Sequence, residues 1–122
     1  MLANLTAGAM NEFEAMLLSA LIEGPVAFTL VYFTRWPSRG PQHVGLAQML
    51  ATAVTHPQLW AAFPSLLERF GYDGAAVVGE AIVVVVEAAF VAWATGLSPA
   101  RALIVSFCAN GASVIVGLVF FA

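Results

Sequence analysis

Residues 74 to 95 read "GAAVVGEAIVVVVEAAFVAWAT", a run in which only Glu80 and Glu87 carry charge. As a helix it extends about 33 Å, enough to cross the ~30 Å hydrocarbon core of a bilayer. A segment this apolar is stable in lipid only if its backbone bonds close internally, which a helix achieves. The whole chain follows suit: 61% of its 122 residues are hydrophobic and 9% charged, whereas soluble domains carry about 25% charged residues. The expected fold class is an all-α membrane protein. At about 20 apolar residues per span, the length allows four or five crossings at most, as a single integral membrane domain over residues 1–122 with no room for a soluble one.

Four spans are expected, at about 12–33, 43–55 or 43–63, 74–95 and 99–121. Asn11 and Glu14 have capping-box spacing, and Glu12 and Glu14 suit the positive end of a helix dipole. Pro25 removes one backbone hydrogen bond within the first span and is expected to kink it. "TRWPSRGPQ" then reads as a loop with Trp36 as an interfacial anchor. The second span either runs on to Phe63 across Pro57 or stops near Thr55. In the latter case "PQLWAAFPSLLERFG" lies along the interface. The latter is preferred, because His56, Trp60 and the Glu68/Arg69 pair suit the headgroup region. Asp73 is read as the cap of the third span and Gly96 as its end, with Ser98 capping the fourth and Pro99 opening it. The expected architecture is therefore a four-transmembrane-helix bundle with a short interfacial segment between helices 2 and 3.

Charge sets the expected orientation. Arg35, Arg39 and Arg101 fall in the two loops on one side of such a bundle, and Arg69 falls on the other. The positive-inside rule makes the three-arginine side cytoplasmic and puts both termini outside, in what reads as a bacterial inner membrane. "MLANLTAGAMNEFEAMLL" lacks the positive n-region of a secretory signal, so the first helix is expected to be retained. With four arginines and no lysine, there is no polybasic patch for nucleic acid. The one cysteine, Cys108, excludes an internal disulfide and is expected to be a buried packing residue.

The residues with chemistry are polar groups inside the apolar spans. Glu80 and Glu87, seven apart, lie on one helical stripe roughly 10 Å apart along the axis. In the last span Ser106, Asn110, Ser113 and Gly117 form a second stripe. Packed antiparallel, the stripes bring Glu87 to the depth between Ser106 and Asn110, and Glu80 to that of Ser113 and Gly117. Glu23 of the first span falls near the same depth as Asn110, so three carboxyls are expected to converge there. An ionised carboxylate at mid-bilayer costs several kcal/mol, and no mid-membrane Arg or Lys is at hand. The glutamates are expected to be neutral, joining helices by hydrogen bonds worth about 0.6 to 2 kcal/mol each, or alternatively to relay protons or cations.

His43 and His56 have no second ligand at metal spacing, so no metal site is expected. His56, beside Pro57 and Trp60, is a candidate axial ligand for a haem or chlorin, the one cofactor the sequence suggests. No nucleophile triad, phosphate loop or proteolytic motif is visible, and enzyme activity is not expected. Over residues 55–118, "THPQLW", "GEAIVVVVEA" and "ARALIVSFCANGASVIVGL" resemble a set of small multi-pass bacterial membrane proteins, a likeness that implies a shared packing pattern and no catalytic residue. The expected function is that of a non-catalytic accessory or structural subunit in a larger membrane complex, such as a respiratory or photosynthetic one, with lipid and other membrane subunits as partners. The alternative is a homo-oligomeric proton-coupled transporter or ion pathway through Glu23, Glu80 and Glu87.

Overall fold

A computed structural model describes residues 11–120. They form three helices: α1 (Glu12–Thr34), α2 (Pro41–Thr95) and α3 (Pro99–Phe120). Each is long and apolar enough to cross a membrane. Three candidate spans thus replace the four expected, and the four-helix bundle with a separate interfacial segment is overturned. The difference arises between residues 55 and 73. Pro57 and Pro64 do not stop α2, which continues through both, and Asp73 lies within the helix instead of capping one. Each proline withdraws one N–H and frees one carbonyl, a loss that long membrane helices tolerate when neighbouring groups compensate.

This 55-residue helix is not straight. At Gly71 the backbone adopts φ 71° and ψ −179°, a region essentially reserved for glycine. Beyond it the second arm of α2 folds back along the first. A Cβ placed on Gly79 would sit 2.6 Å from Leu59 Cδ1, although a straight helix would separate the two residues by roughly 30 Å. The rings of Phe63 and Tyr72 meet edge to face across the bend, 5.9 Å apart.

The expected caps of α1 and α3 are present. Asn11 Oδ1 accepts from the Glu14 N–H at 2.8 Å, and Glu14 Oε1 accepts from the Asn11 N–H at 3.2 Å. Gly96 closes α2 in the left-handed conformation, and the Arg101 N–H donates to Ser98 Oγ at 3.4 Å. The α1 helix continues through Pro25 to Thr34. Close to that proline, α1 crosses the first arm of α2 through Gly24 and Gly45: a Cβ on Gly45 would lie 3.1 Å from Gly24 O and 3.2 Å from Phe28 Cβ. Small residues at a crossing bring backbones together where no hydrophobic force distinguishes helix from lipid.

Side chains are distributed as lipid requires. The largest wholly buried ones are Gln48 and Glu87, followed by valines, whereas Phe33, Trp93, Phe107 and Phe120 point outward. Cys108, expected to be buried, is exposed. It lies on an outer face of α3, beside an apolar recess formed with Pro25, Val26 and Leu30 of α1. At one end of the bundle the Arg39 N–H donates to Thr95 O at 2.7 Å and its guanidinium Nη1 to Ala94 O at 3.1 Å. A cation at a helix C-terminus meets the negative end of its dipole. Arg101 lies over the Trp36 ring, 5.5 Å from its centroid, so the two loops are tied together at this end.

Candidate functional site: a buried carboxyl pair

Glu23 and Glu87 meet in the centre of the bundle, both almost fully buried. The group that joins them is Gln48, on the first arm of α2. Its Nε2 donates to Glu23 Oε1 at 3.2 Å and to Glu87 Oε1 at 2.8 Å, so one amide uses its two hydrogens on two carboxyl groups. Thr52 Oγ1 lies 2.7 Å from Glu23 Oε1 as a donor, and Thr55 Oγ1 donates to Glu87 Oε2. From α3, Asn110 Nδ2 donates to Glu87 Oε1 at 2.7 Å and to Ser106 O at 2.9 Å.

These positions follow from helical spacing. Gln48, Thr52 and Thr55 are four and three residues apart and share one stripe. That stripe faces Glu23 of α1 on one side and Glu87 of the returning arm on the other. Gln48 and Glu87 are 39 residues apart in sequence, so the contact exists only because α2 reverses at Gly71.

The expected contact between Glu87 and Asn110 is present. Glu23 reaches the same centre through Gln48 and Thr52, not through Asn110, so the three carboxyls do not converge on that asparagine. Ser106 Oγ donates to Val84 O at 2.8 Å, tying α3 to the backbone of the second arm. Ser113 Oγ lies 3.1 Å from Ser19 Oγ and donates to it, linking α3 to α1. Glu80 makes no hydrogen bond to a described side chain or backbone group among those of the network. It faces the same cavity as Ser113 and Gly117, at the depth expected.

That cavity has a volume of about 40 Å³. Its walls carry three carboxyl groups, those of Glu23, Glu80 and Glu87, together with Thr52, Thr55 and Asn110. Among the described residues, no arginine or lysine lines it. His56 does line it, and its Nε2 accepts from Trp60 Nε1 at 2.6 Å. That bond occupies one ring nitrogen, leaving Nδ1 as the one through which an axial metal contact would form. Among the described residues, no group of three His, Cys, Asp or Glu side chains is arranged to hold a metal.

The site concentrates acceptors, with donors from Gln48, Thr52, Thr55 and Asn110 gathered on Glu23 and Glu87. Glu23, Glu80 and Glu87 offer six oxygens, and Gln48 Oε1 is buried with no hydrogen-bond partner among the described residues. Such a cluster can take up what supplies donors and positive charge, namely protons or a small cation bearing N–H groups. Gln48, Thr52, Thr55 and Ser19 are the site residues that the sequence reading missed. Their stripe spacings were available, but they sit in segments whose prolines suggested interruption. No family model matches the sequence, and neither a curated protein nor a solved structure matches it.

Proposed function

We propose that this chain is a membrane ion pathway or proton-coupled carrier, non-enzymatic, whose working centre is the Glu23–Glu87 pair. The observation that carries the reading is one Gln48 amide shared by two buried carboxyl groups, beside a cavity that a third carboxyl lines and that, among the described residues, no arginine or lysine lines. A proton is then the simplest neutralising charge, since an uncompensated buried carboxylate is costly. A purely structural role accounts for Glu87 held by Asn110 and Thr55. It does not account for a polar cavity or for Glu80 facing it. A cavity of only about 40 Å³ within one chain favours a homo-oligomer, in which copies together complete a path. Because α2 starts and ends at the same end, where the Arg39 N–H meets Thr95 O, the arginines of that end, Arg35, Arg39 and Arg101, support its cytoplasmic placement in a bacterial inner membrane, with α1 and α3 leading to chain termini outside. Purified protein in proteoliposomes carrying an internal pH dye tests the function: proton flux after a pH jump should fall in Glu87→Gln and in Glu80→Gln. Absence of flux, or wild-type flux in both variants, rejects the reading.

A second reading, an accessory subunit of a larger membrane complex such as a respiratory or photosynthetic one, is supported by the short connections at 35–40 and 96–98, which among the described residues leave little between the helices to perform chemistry. Mild-detergent purification from native membranes should then recover stable partner subunits. Recovery solely as monomer or homodimer rejects it.

A further inference from the structure

The hydrogen-bonded layer of Glu23, Gln48, Glu87 and Asn110 divides the bundle into two unlike halves. Between it and the arginine-bearing end stand Val31, Val44, Val91 and Val105, all wholly buried and part of the apolar core. Between it and the Gly71 end lies the carboxyl-lined cavity, with Ser19, Thr52, Thr55, Glu80 and Ser113 in its wall on that side. The carboxyl pair is thus packed with valine toward one end and lined with polar groups toward the other.

His56 belongs to the polar half. Eight positions beyond Gln48 on the same arm, on the order of 12 Å nearer the bend, it lines the cavity and is half-buried, as is Trp60. The titratable groups that share the cavity with it are Glu23 of α1 and Glu80 and Glu87 of the second arm, and α3 contributes no titratable residue to the described wall. Trp60 fixes its protonation state. An indole N–H can only donate, so the 2.6 Å bond from Trp60 Nε1 requires a bare Nε2 and puts the hydrogen of the neutral ring on Nδ1. A proton added at Nε2 sets donor against donor, and the bond must break.

We infer that His56 carries protons between the Gly71 end of the bundle and the carboxyl pair, and that release of its bond to Trp60 is the step that lets each proton through. The inference rests on the preceding reading, in which the pair conducts protons. A hydronium ion at that end gives its proton to Nε2, forming an N–H bond and leaving water. The Trp60 indole is displaced, and the ring is free to turn. The same N–H bond then breaks toward a cavity carboxylate, its electron pair staying on Nε2, and the neutral ring returns to Trp60. Nδ1 keeps its hydrogen throughout, so one proton enters and one leaves. Glu80 is the first acceptor on this route, because it lines the cavity nearer the bend than Glu87 does.

Nitrogen-15 NMR of the full chain, labelled at histidine and purified without a histidine tag, tests the tautomer. A His43→Gln background leaves His56 as the only histidine. In alkaline buffer the His56 ring should carry its hydrogen on Nδ1, and Trp60→Phe should move it in part to Nε2. Proton flux in proteoliposomes tests the route. His56→Gln should lower flux about tenfold or more while circular dichroism shows an unchanged helix content. Trp60→Phe leaves His56 in place and frees Nε2, so flux should persist and reach its half-maximum at a higher pH than in the wild type. A His56–Trp60 contact that merely holds the helix predicts no such change in pH profile. Hydrogen on Nε2 in the wild type, wild-type flux in His56→Gln, or an unmoved pH profile in Trp60→Phe each overturns the inference. Glu87-dependent flux that is indifferent to His56 overturns this inference alone, and absence of flux in the wild type overturns the proton reading and this inference with it.

Discussion

Glu87 accepts from three donors on two helices: Gln48 and Thr55 of the first arm of α2, and Asn110 of α3. Replacing it separates shape from hydrogen bonding. Glu87→Gln keeps the size and an acceptor oxygen and should cost little stability, whereas Glu87→Leu strands buried donors at about 1 to 3 kcal/mol. The penalty should be coupled. Glu87→Leu combined with Asn110→Leu should cost clearly less than the two single changes added together, because no donor on that side is then orphaned. Thermal unfolding in detergent across this cycle measures it, and strict additivity would contradict the 2.7 Å contact. This contact was legible in the sequence, since two stripes of period 3.6 on adjacent antiparallel segments fix a depth for each residue. Gln48 was not. Only the reversal of α2 gives that glutamine a second carboxyl to bridge.

Two glycines in helical elements illustrate different physical demands. At Gly71 a Cβ would meet nothing within 4 Å, yet φ is 71° with ψ −179°. The cost of Gly71→Ala is therefore conformational, on the order of 1 to 3 kcal/mol, and should appear as a lowered midpoint in thermal unfolding. At Gly45 the backbone is ordinary and space is the limit: a Cβ would press on Gly24 O and Phe28 Cβ. Gly45→Leu should destabilise by overpacking, at about 1 to 3 kcal/mol or more, and a compensating Phe28→Ala should recover part of the loss. The helical character of residues 12–34 and 99–120 was legible, because caps and apolar length agree there. The course of residues 55–73 was not. Pro57, Pro64 and the Glu68/Arg69 pair are local signals for a break, and they are overridden by the packing of Leu59 and Leu66 against Gly79, contacts invisible until the chain turns at Gly71.

For the whole molecule, the arginine-bearing end organises the proposed orientation. Arg39 holds the C-terminus of α2 and Arg101 stacks on Trp36, so the charges that the positive-inside rule counts are also fastened to the bundle. Cysteine labelling tests the orientation. In a Cys108→Ser background, an impermeant reagent on intact cells should modify Phe120→Cys and spare Ser38→Cys. The reverse pattern would invert the placement. The background change is needed because Cys108 is exposed on α3.

The turn at Gly71 also bears on how the chain reaches its membrane during synthesis. Glu87 enters a bilayer at a cost if it arrives alone, but its first partners, Gln48 and Thr55, precede it on the same helix and are already made. The two arms can therefore leave the insertion machinery as one hairpin, with the carboxyl already accepting from donors of its own helix, before α3 has been translated and Asn110 exists. Glutamate burial in this fold is then a matter of synthesis order: the polar partner is laid down first, and the bend delivers the acid to it.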